Sequence, residues 1–369
     1  KILIKGAGDL ATGIAVRLHH CGYPILMTEI EAPLTVRRMV AFSRAVYEGE
    51  AVVEGITGVR AQTPEEIRKV QQQGKIPVLV DPHAAIRTVY QPDVLIDAIL
   101  AKKNLGTEVT DAPFVIGVGP GFTAGEDCHC VIETKRGHTL GSVIFRGTAI
   151  PNTGIPGDVG GYTIERLLKS TAAGVMEPVA AIGDLVQKGE IVAYTGGEPV
   201  YAKMTGIVRG MLQRGVVVEK DLKIGDIDAR CEVSHCFTIS DKARAIGGGV
   251  LEAVVQFERI CRKYAVIVLA AGNASRFGSN KLLADVQGKP LYCHMLAGLG
   301  AFPRILVTGY EEIAEAAEAL GVCTVANHQP ELGISHSLKL GLEKCKSIEL
   351  DVKGVLFCVC DQPGLSLAT

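Results

Sequence analysis

Within ten residues the chain places Ser275, Arg276, Gly278 and Lys281, directly after an apolar run that closes in Leu269, Ala270, Ala271 and Gly272. Residues 265–269 are rich in Val and Ile and have the length of a strand buried on both faces of a parallel sheet. A small, glycine-punctuated loop at the carboxyl end of such a strand turns several backbone N–H groups toward one point. Concavities of that kind bind phosphate oxygens. Glycine there lets the backbone come close to the ligand. Arg276 adds a planar fork of donors and Lys281 a mobile point charge. The set suits a triphosphate.

A second constellation stands at the start of the chain. Gly6, Gly8 and Ala11 fit G-x-G-x-x-A between a strand (residues 2–4) and a helix (residues 10–20). A second strand, residues 23–28, then brings Glu29 to its end, about 20 residues on, where a ribose-binding acid belongs. The expected ligand is NAD(P) or another adenine nucleotide; the competing reading is a tight strand–helix turn that holds nothing. Further on, Asp127, His129, Glu133 and His138 could converge around Gly117, Gly119, Gly121 and Gly125. Strand alternation puts Cys128 and Cys130 on one face and His129 on the other. That placement argues against a Cys-His-Cys metal site and for a solvated face with two core cysteines. Cys231, His235 and Cys236 lack a fourth ligand at metal-site spacing.

The elements that must position these groups fall into three pieces, and the expected class is α/β. Residues 1–175 read as a Rossmann-like domain. Its first βαβ unit is followed by the strand "IPVLVDP" and by "PDVLIDAILAKK", which fits strand or helix. Residues 176–257 hold short Val/Ile strands joined by Gly-Asp and Lys-Gly turns, the spacing of a small all-β module, and end in a helix. Its pattern resembles the barrel-sandwich-hybrid modules of biotinyl and lipoyl carriers. Lys203, inside "AKMTG", is misplaced for a carrier lysine, so the module reads as structural. Residues 263–369 alternate strand and helix regularly, as a partial α/β domain, and their last apolar strand ends at Asp361.

Composition narrows the classes. The 369 residues carry 38 Lys and Arg against 40 Asp and Glu. That balance gives no footing for bulk nucleic-acid binding. No apolar run approaches the ~18 residues of a membrane span. Eleven cysteines, an odd number, predict reduced thiols and a cytoplasmic chain. Gly at 43 residues makes tight loops a theme.

Four stretches in order, "LAAGNASRFGSNKLL", "GKPL", "GISHSLKLGL" and "CDQPGL", make the last hundred residues resemble the MocA-type molybdenum cofactor cytidylyltransferases. "KGAGDLATG", "GPGFTAGEDCHCVIETKRGHTLG", "NTGIPGDVGG" and "KIGDID" with "ISDKARAIGGGVLEAV" make residues 1–257 resemble YqeB-type accessory proteins of the selenium-dependent molybdenum hydroxylase system. The first resemblance implies CTP and Mg2+ as ligands and the phosphate of molybdopterin as nucleophile. Backbone N–H groups of residues 271–275 would hold the β- and γ-phosphates, together with Arg276. Lys281 would neutralise the α-phosphate, and Asp361 would hold Mg2+. Relatives that select guanosine tend to have Gly at the position of Ala271, so the methyl is consistent with a pyrimidine.

Together the two resemblances imply cofactor tailoring joined to maturation of a molybdenum hydroxylase client. Two other readings compete: a non-catalytic, nucleotide-binding chaperone that delivers the cofactor, and an NAD(P)-linked reductase centred on Gly6 and Gly8. The resembling transferases are nearly twice as long as residues 265–369. The expectation is therefore an open sheet edge after Asp361, covered by further strands or by a second subunit, and a chain that binds nucleotide better than it turns over.

Overall fold

Ile2–Lys5 (β1) is buried at all four positions, which only the centre of a doubly covered sheet requires. The computed structural model, which describes residues 1–152, 154, 161–272, 280–299, 302–348 and 352–361, places it there. The chain divides into two units, Lys1–Ala253 and Val254–Thr369.

In the first unit β1 is joined by Ile25–Glu29 (β2), Glu50–Val53 (β3), Ile56–Ala61 (β4), Ile76–Val80 (β5), Val94–Asp97 (β6) and Phe114–Val118 (β7). With Cys130–Ile132 and Val143–Ile144 they form a nine-stranded sheet. Its order is Val143–Ile144, Cys130–Ile132, β7, β6, β1, β2, β5, β4, β3. β1 pairs in parallel with both β2 and β6, with Ile2 opposite Ile25 and Val94. The chain runs outward from β1 in one direction and returns to β6 on the other side. Such a reversal opens a crevice at the carboxyl ends of the strands. The segment that fitted strand or helix is β6, buried at all four positions.

Two four-stranded antiparallel sheets follow in the same unit. Leu167–Lys169, Lys223–Asp228, Gly206–Met211 and Leu185–Val186 form one; Glu198–Tyr201, Ile191–Thr195, Gly174–Pro178 and Val217–Val218 form the other. Leu168, Met176, Val192, Val208 and Ile224 are among the residues of their common core.

The glycine run of helix Asp241–Arg262 has a packing reason. A Cβ on Gly247 would stand 3.0 Å from the Gly13 carbonyl oxygen, and one on Gly249 would stand 2.0 Å from that of Gly141, while Gly248 faces open space. Gly248→Ala should therefore stabilise the first unit by about 0.5–1 kcal/mol through helix propensity. Gly249→Ala should cost roughly 1–3 kcal/mol, because a backbone oxygen cannot step aside as a side chain can. Urea midpoints of the two variants compare them directly; equal shifts would show that the helix does not need this approach.

The second unit is a parallel four-stranded sheet in the order Cys323–Ala326, Arg304–Thr308, Tyr264–Ala270, Gly354–Val359. Its helices are Leu291–Gly298, Glu311–Ala319 and Ile334–Ser347. Alternate residues of the central strand serve the two faces: Val266 and Val268 pack with Leu306 and Ile313, Ala265 and Ile267 with Val307 and Cys345. Gly354–Val359 lies at the edge, and its Leu356 and Phe357 are exposed. Among the described residues no helix is long and apolar enough to cross a membrane. The chain is mixed α/β with a large, mainly parallel sheet.

Candidate functional site

Parallel pairing of Tyr264–Ala270 with Gly354–Val359 carries the two strand ends to the same place. The Cys360 N–H donates to the Leu269 carbonyl at 3.0 Å, so Asp361 emerges beside residues 269–272. The Ala270 carbonyl accepts from Thr308 Oγ1 at 3.2 Å and the Gly272 carbonyl from the Tyr310 hydroxyl at 3.1 Å. These bonds anchor the start of the loop through its acceptors. A Cβ on Gly272 would meet nothing within 4 Å among the described residues, so there is room beside it.

Lys281 opens the short 3-10 helix Lys281–Leu283, whose first turn is capped by Asn280 Oδ1 accepting from the Leu282 N–H. From there Lys281 Nζ donates to Asp361 Oδ2 at 3.2 Å. The two side chains are 44% and 46% exposed. An ion pair that open contributes about 0–1 kcal/mol to stability. Both groups therefore sit together at little structural gain and remain accessible to a ligand.

A cavity of about 440 Å³ lies between Ala271, Gly272, Lys281 and Asp361 on one side and Gly333 and Ser337 on the other. Gly333, at φ +82°, starts helix Ile334–Ser347 with no side-chain cap. The first N–H groups of this helix and its positive dipole end thus border the cavity. Ser337 is held by Asn327 Nδ2 at 2.9 Å. Asn280 Nδ2 is buried without an acceptor among the described residues. Sequence reading missed these contributions of the helix start, Asn280 and Tyr310. The Gly before "ISHSLKLGL" was the available signal for the first.

Burial pushes the Cys360 thiol up to about 12, with the charges of Asp361 and Cys293 adding to it. Cys360 is thus a neutral thiol rather than a thiolate ligand or nucleophile, which leaves Asp361 as the anionic donor. Among the described residues no group of three His, Cys, Asp or Glu could enclose a metal ion. One carboxylate completed by water and substrate phosphate oxygens is how Mg2+ is commonly held, so the donor set fits that ion. Ser275, Arg276 and Gly278 lie outside the described residues.

Gly6, Gly8 and Glu29 do meet at the start of helix Asp9–His20 (α1). Glu29 Oε2 accepts from the Ala7 N–H at 2.8 Å and Oε1 from the Ile30 N–H at 2.9 Å. Burial raises the Glu29 pKa and those two bonds pull it down, with burial the larger effect. Gly6, at φ +92°, would bring a Cβ within 3.0 Å of the Ala98 carbonyl, so the turn itself requires glycine. Gly8 is different: its φ is −66°, and among the described residues a Cβ there would meet only Thr35 Oγ1, at 3.7 Å.

Asp127, His129 and Glu133 serve the backbone. Asp127 accepts from the Thr123 N–H, and His129 Nδ1 from the Val115 N–H. Glu133 Oε1 accepts from the N–H groups of Thr134 and Lys135, and Oε2 from that of Ile150. Cys128 and Cys130 are fully buried while His129 is partly exposed, on the faces that alternation assigns them.

Residues 266–369 match the family model of the MobA-like NTP transferase domain. The chain is also 49% identical over 254 residues to the uncharacterized protein YqeB of Escherichia coli (strain K12). That alignment covers 69% of this chain and 47% of YqeB, so the chain spans about half the length of that relative. It thus combines a YqeB-like part with a MobA-like NTP transferase domain. Among solved structures, Rv0371c from Mycobacterium tuberculosis H37Rv is 23% identical, over 29% of this chain and 56% of that one, with a TM-score of 0.24. An aspartoacylase family protein from Mesorhizobium loti is 11% identical, over 61% and 84%, with a TM-score of 0.20.

Proposed function

We propose that this chain matures a molybdenum hydroxylase, and that its C-terminal domain transfers a cytidylyl group from CTP to molybdopterin. The observation that carries the reading is the meeting of Lys281 and Asp361, 80 residues apart in sequence, at the mouth of the cavity beside Gly272. The terminal phosphate oxygen of molybdopterin would form a bond to the α-phosphorus of CTP as the bond to the β-phosphate oxygen breaks. Pyrophosphate leaves with that electron pair. Lys281 would offset charge on the α-phosphate, and the helix start at Gly333 would favour an anionic ligand. Asp361 would hold Mg2+, which supplies charge neutralisation of the phosphates when bound. A hydroxylase in the cytoplasm would be the client.

Binding is the direct test. Calorimetry on the full chain should show CTP bound in a Mg2+-dependent manner and more tightly than GTP. Failure to bind any nucleoside triphosphate, or a preference for GTP, would overturn the assignment of substrate. In the first unit NAD would place its pyrophosphate over Gly8, so Gly8→Val should weaken NAD binding at this turn without a loss of stability. Unchanged NAD affinity in that variant would leave Gly6, Gly8 and Glu29 as a structural turn.

A further inference from the structure

The nine-stranded sheet of the first unit carries a second cavity, of about 450 Å³. It lies at the carboxyl ends of β1, β6, β7 and Cys130–Ile132, where the direction of the crossovers reverses. Leu10 follows β1, Leu100 and Lys102 follow β6, Pro120 follows β7, and Thr134, Lys135 and Arg136 follow Cys130–Ile132. Open parallel sheets bind their ligands at such switch points.

The lining has one sign of charge. Lys102, Lys135, Arg136, Arg166, Arg209 and Lys242 all reach it, and no carboxylate lines it among the described residues. Two of these cations are held in place by partners outside the lining. Arg166 makes two bonds to Asp226, at 2.9 and 3.1 Å, and Arg136 pairs with Asp241. Arg209 is 8% exposed, and its Nε has no hydrogen-bond acceptor among the described residues; Asp228 Oδ2 stands 3.7 Å away. The side chains of Lys102, Lys135 and Lys242 have no hydrogen bond or ion pair among the described residues. Burial lowers the Lys242 pKa and Arg136 adds to that, while Asp9, Glu133 and Asp241 pull it back.

Such a concentration of like charge is unfavourable to the protein alone and favourable to an anion. Glu133 builds the wall from behind, since its carboxylate ties Thr134, Lys135 and Ile150 together through their backbone N–H groups. Leu10, Leu100, Ile150 and Pro151 add apolar surface. The four stretches that make this part resemble YqeB-type proteins each send a residue to the cavity: Leu10, Arg136, Asn152 and Lys242.

We infer that this cavity binds a nucleotide-sized organic phosphate carrying at least two negative charges, at a site separate from the one at Lys281 and Asp361. The volume fits a small ligand with an apolar body, and the cations supply charge-assisted bonds to its phosphates. Pyrophosphate should bind more weakly than a ligand with that body, and adenosine, which has no phosphate, should not bind.

The test uses calorimetry on the full chain with ADP, inorganic pyrophosphate and adenosine, without Mg2+. ADP should bind most tightly, and at least tenfold more weakly in Lys135→Gln and Lys242→Gln. Lys135→Arg should retain binding, and Lys281→Ala should leave this ADP site intact. Thermal midpoints of the ligand-free Gln variants should equal or exceed that of the parent, because an unpaired cation is removed. Should either Gln variant fail to fold, the exposed Lys102→Gln takes its place with the same expectation. Absence of ADP binding, unchanged affinity in the Gln variants, or complete loss of binding in Lys281→Ala would each overturn the proposal.

Discussion

Lys281→Ala should weaken CTP binding by at least about 1.5 kcal/mol, roughly tenfold, and should leave the urea midpoint of the second unit where it was. The two halves of that result have different causes. A lysine that reaches a phosphate through a charge-assisted bond loses about 1.5–3 kcal/mol when it is removed. The pair it makes with Asp361 in the ligand-free protein is nearly half exposed on both sides and contributes little to folding. Asp361→Asn should remove the Mg2+ dependence of binding while keeping the fold, since Asn is close in shape and cannot balance a divalent cation. A loss of more than about 1 kcal/mol of unfolding free energy in Lys281→Ala, with CTP affinity unchanged, would make the pair a structural bridge.

Much of this site was legible in the sequence because its signals are local. A strand of Val and Ile, a glycine loop and a lysine a few residues on are neighbours along the chain, and one period decides their placement. Asp361 was legible as the end of an apolar strand. The strand order that sets Gly354–Val359 beside Tyr264–Ala270 is what brings it to Lys281, and it is a non-local property. The same limit explains what was missed. Tyr310 reaches the Gly272 carbonyl and Asn327 reaches Ser337 only through the stacking of strands and helices. Gly6 illustrates the reverse error of emphasis: its motif suggests a ligand, yet the nearness of the Ala98 carbonyl already requires glycine there. Asp127, His129 and Glu133 have the residue types of a metal or catalytic cluster. Their partners are backbone N–H groups, which no side-chain pattern announces.

Gly341→Val, about two turns inside helix Ile334–Ser347, should weaken CTP binding without touching any group that contacts the nucleotide. A Cβ at this position would stand 2.5 Å from Ile267 Cγ2 and 3.2 Å from Val307 Cγ2. Ile267 and Val307 are fully buried in adjacent strands, so neither has free space to rotate into. Overpacking of this kind costs about 1–3 kcal/mol and is relieved by backbone shifts. The helix must lift from the sheet, and its start at Gly333 and Ser337, which forms one wall of the cavity, moves with it. Positioning a phosphate group to within about 1 Å matters for transfer, so product formation should fall further than affinity. Leu342→Ala, at a partly exposed neighbour in the same helix, controls for general destabilisation. Wild-type CTP affinity and stability in Gly341→Val would show that close helix–sheet packing does not set the geometry of the site.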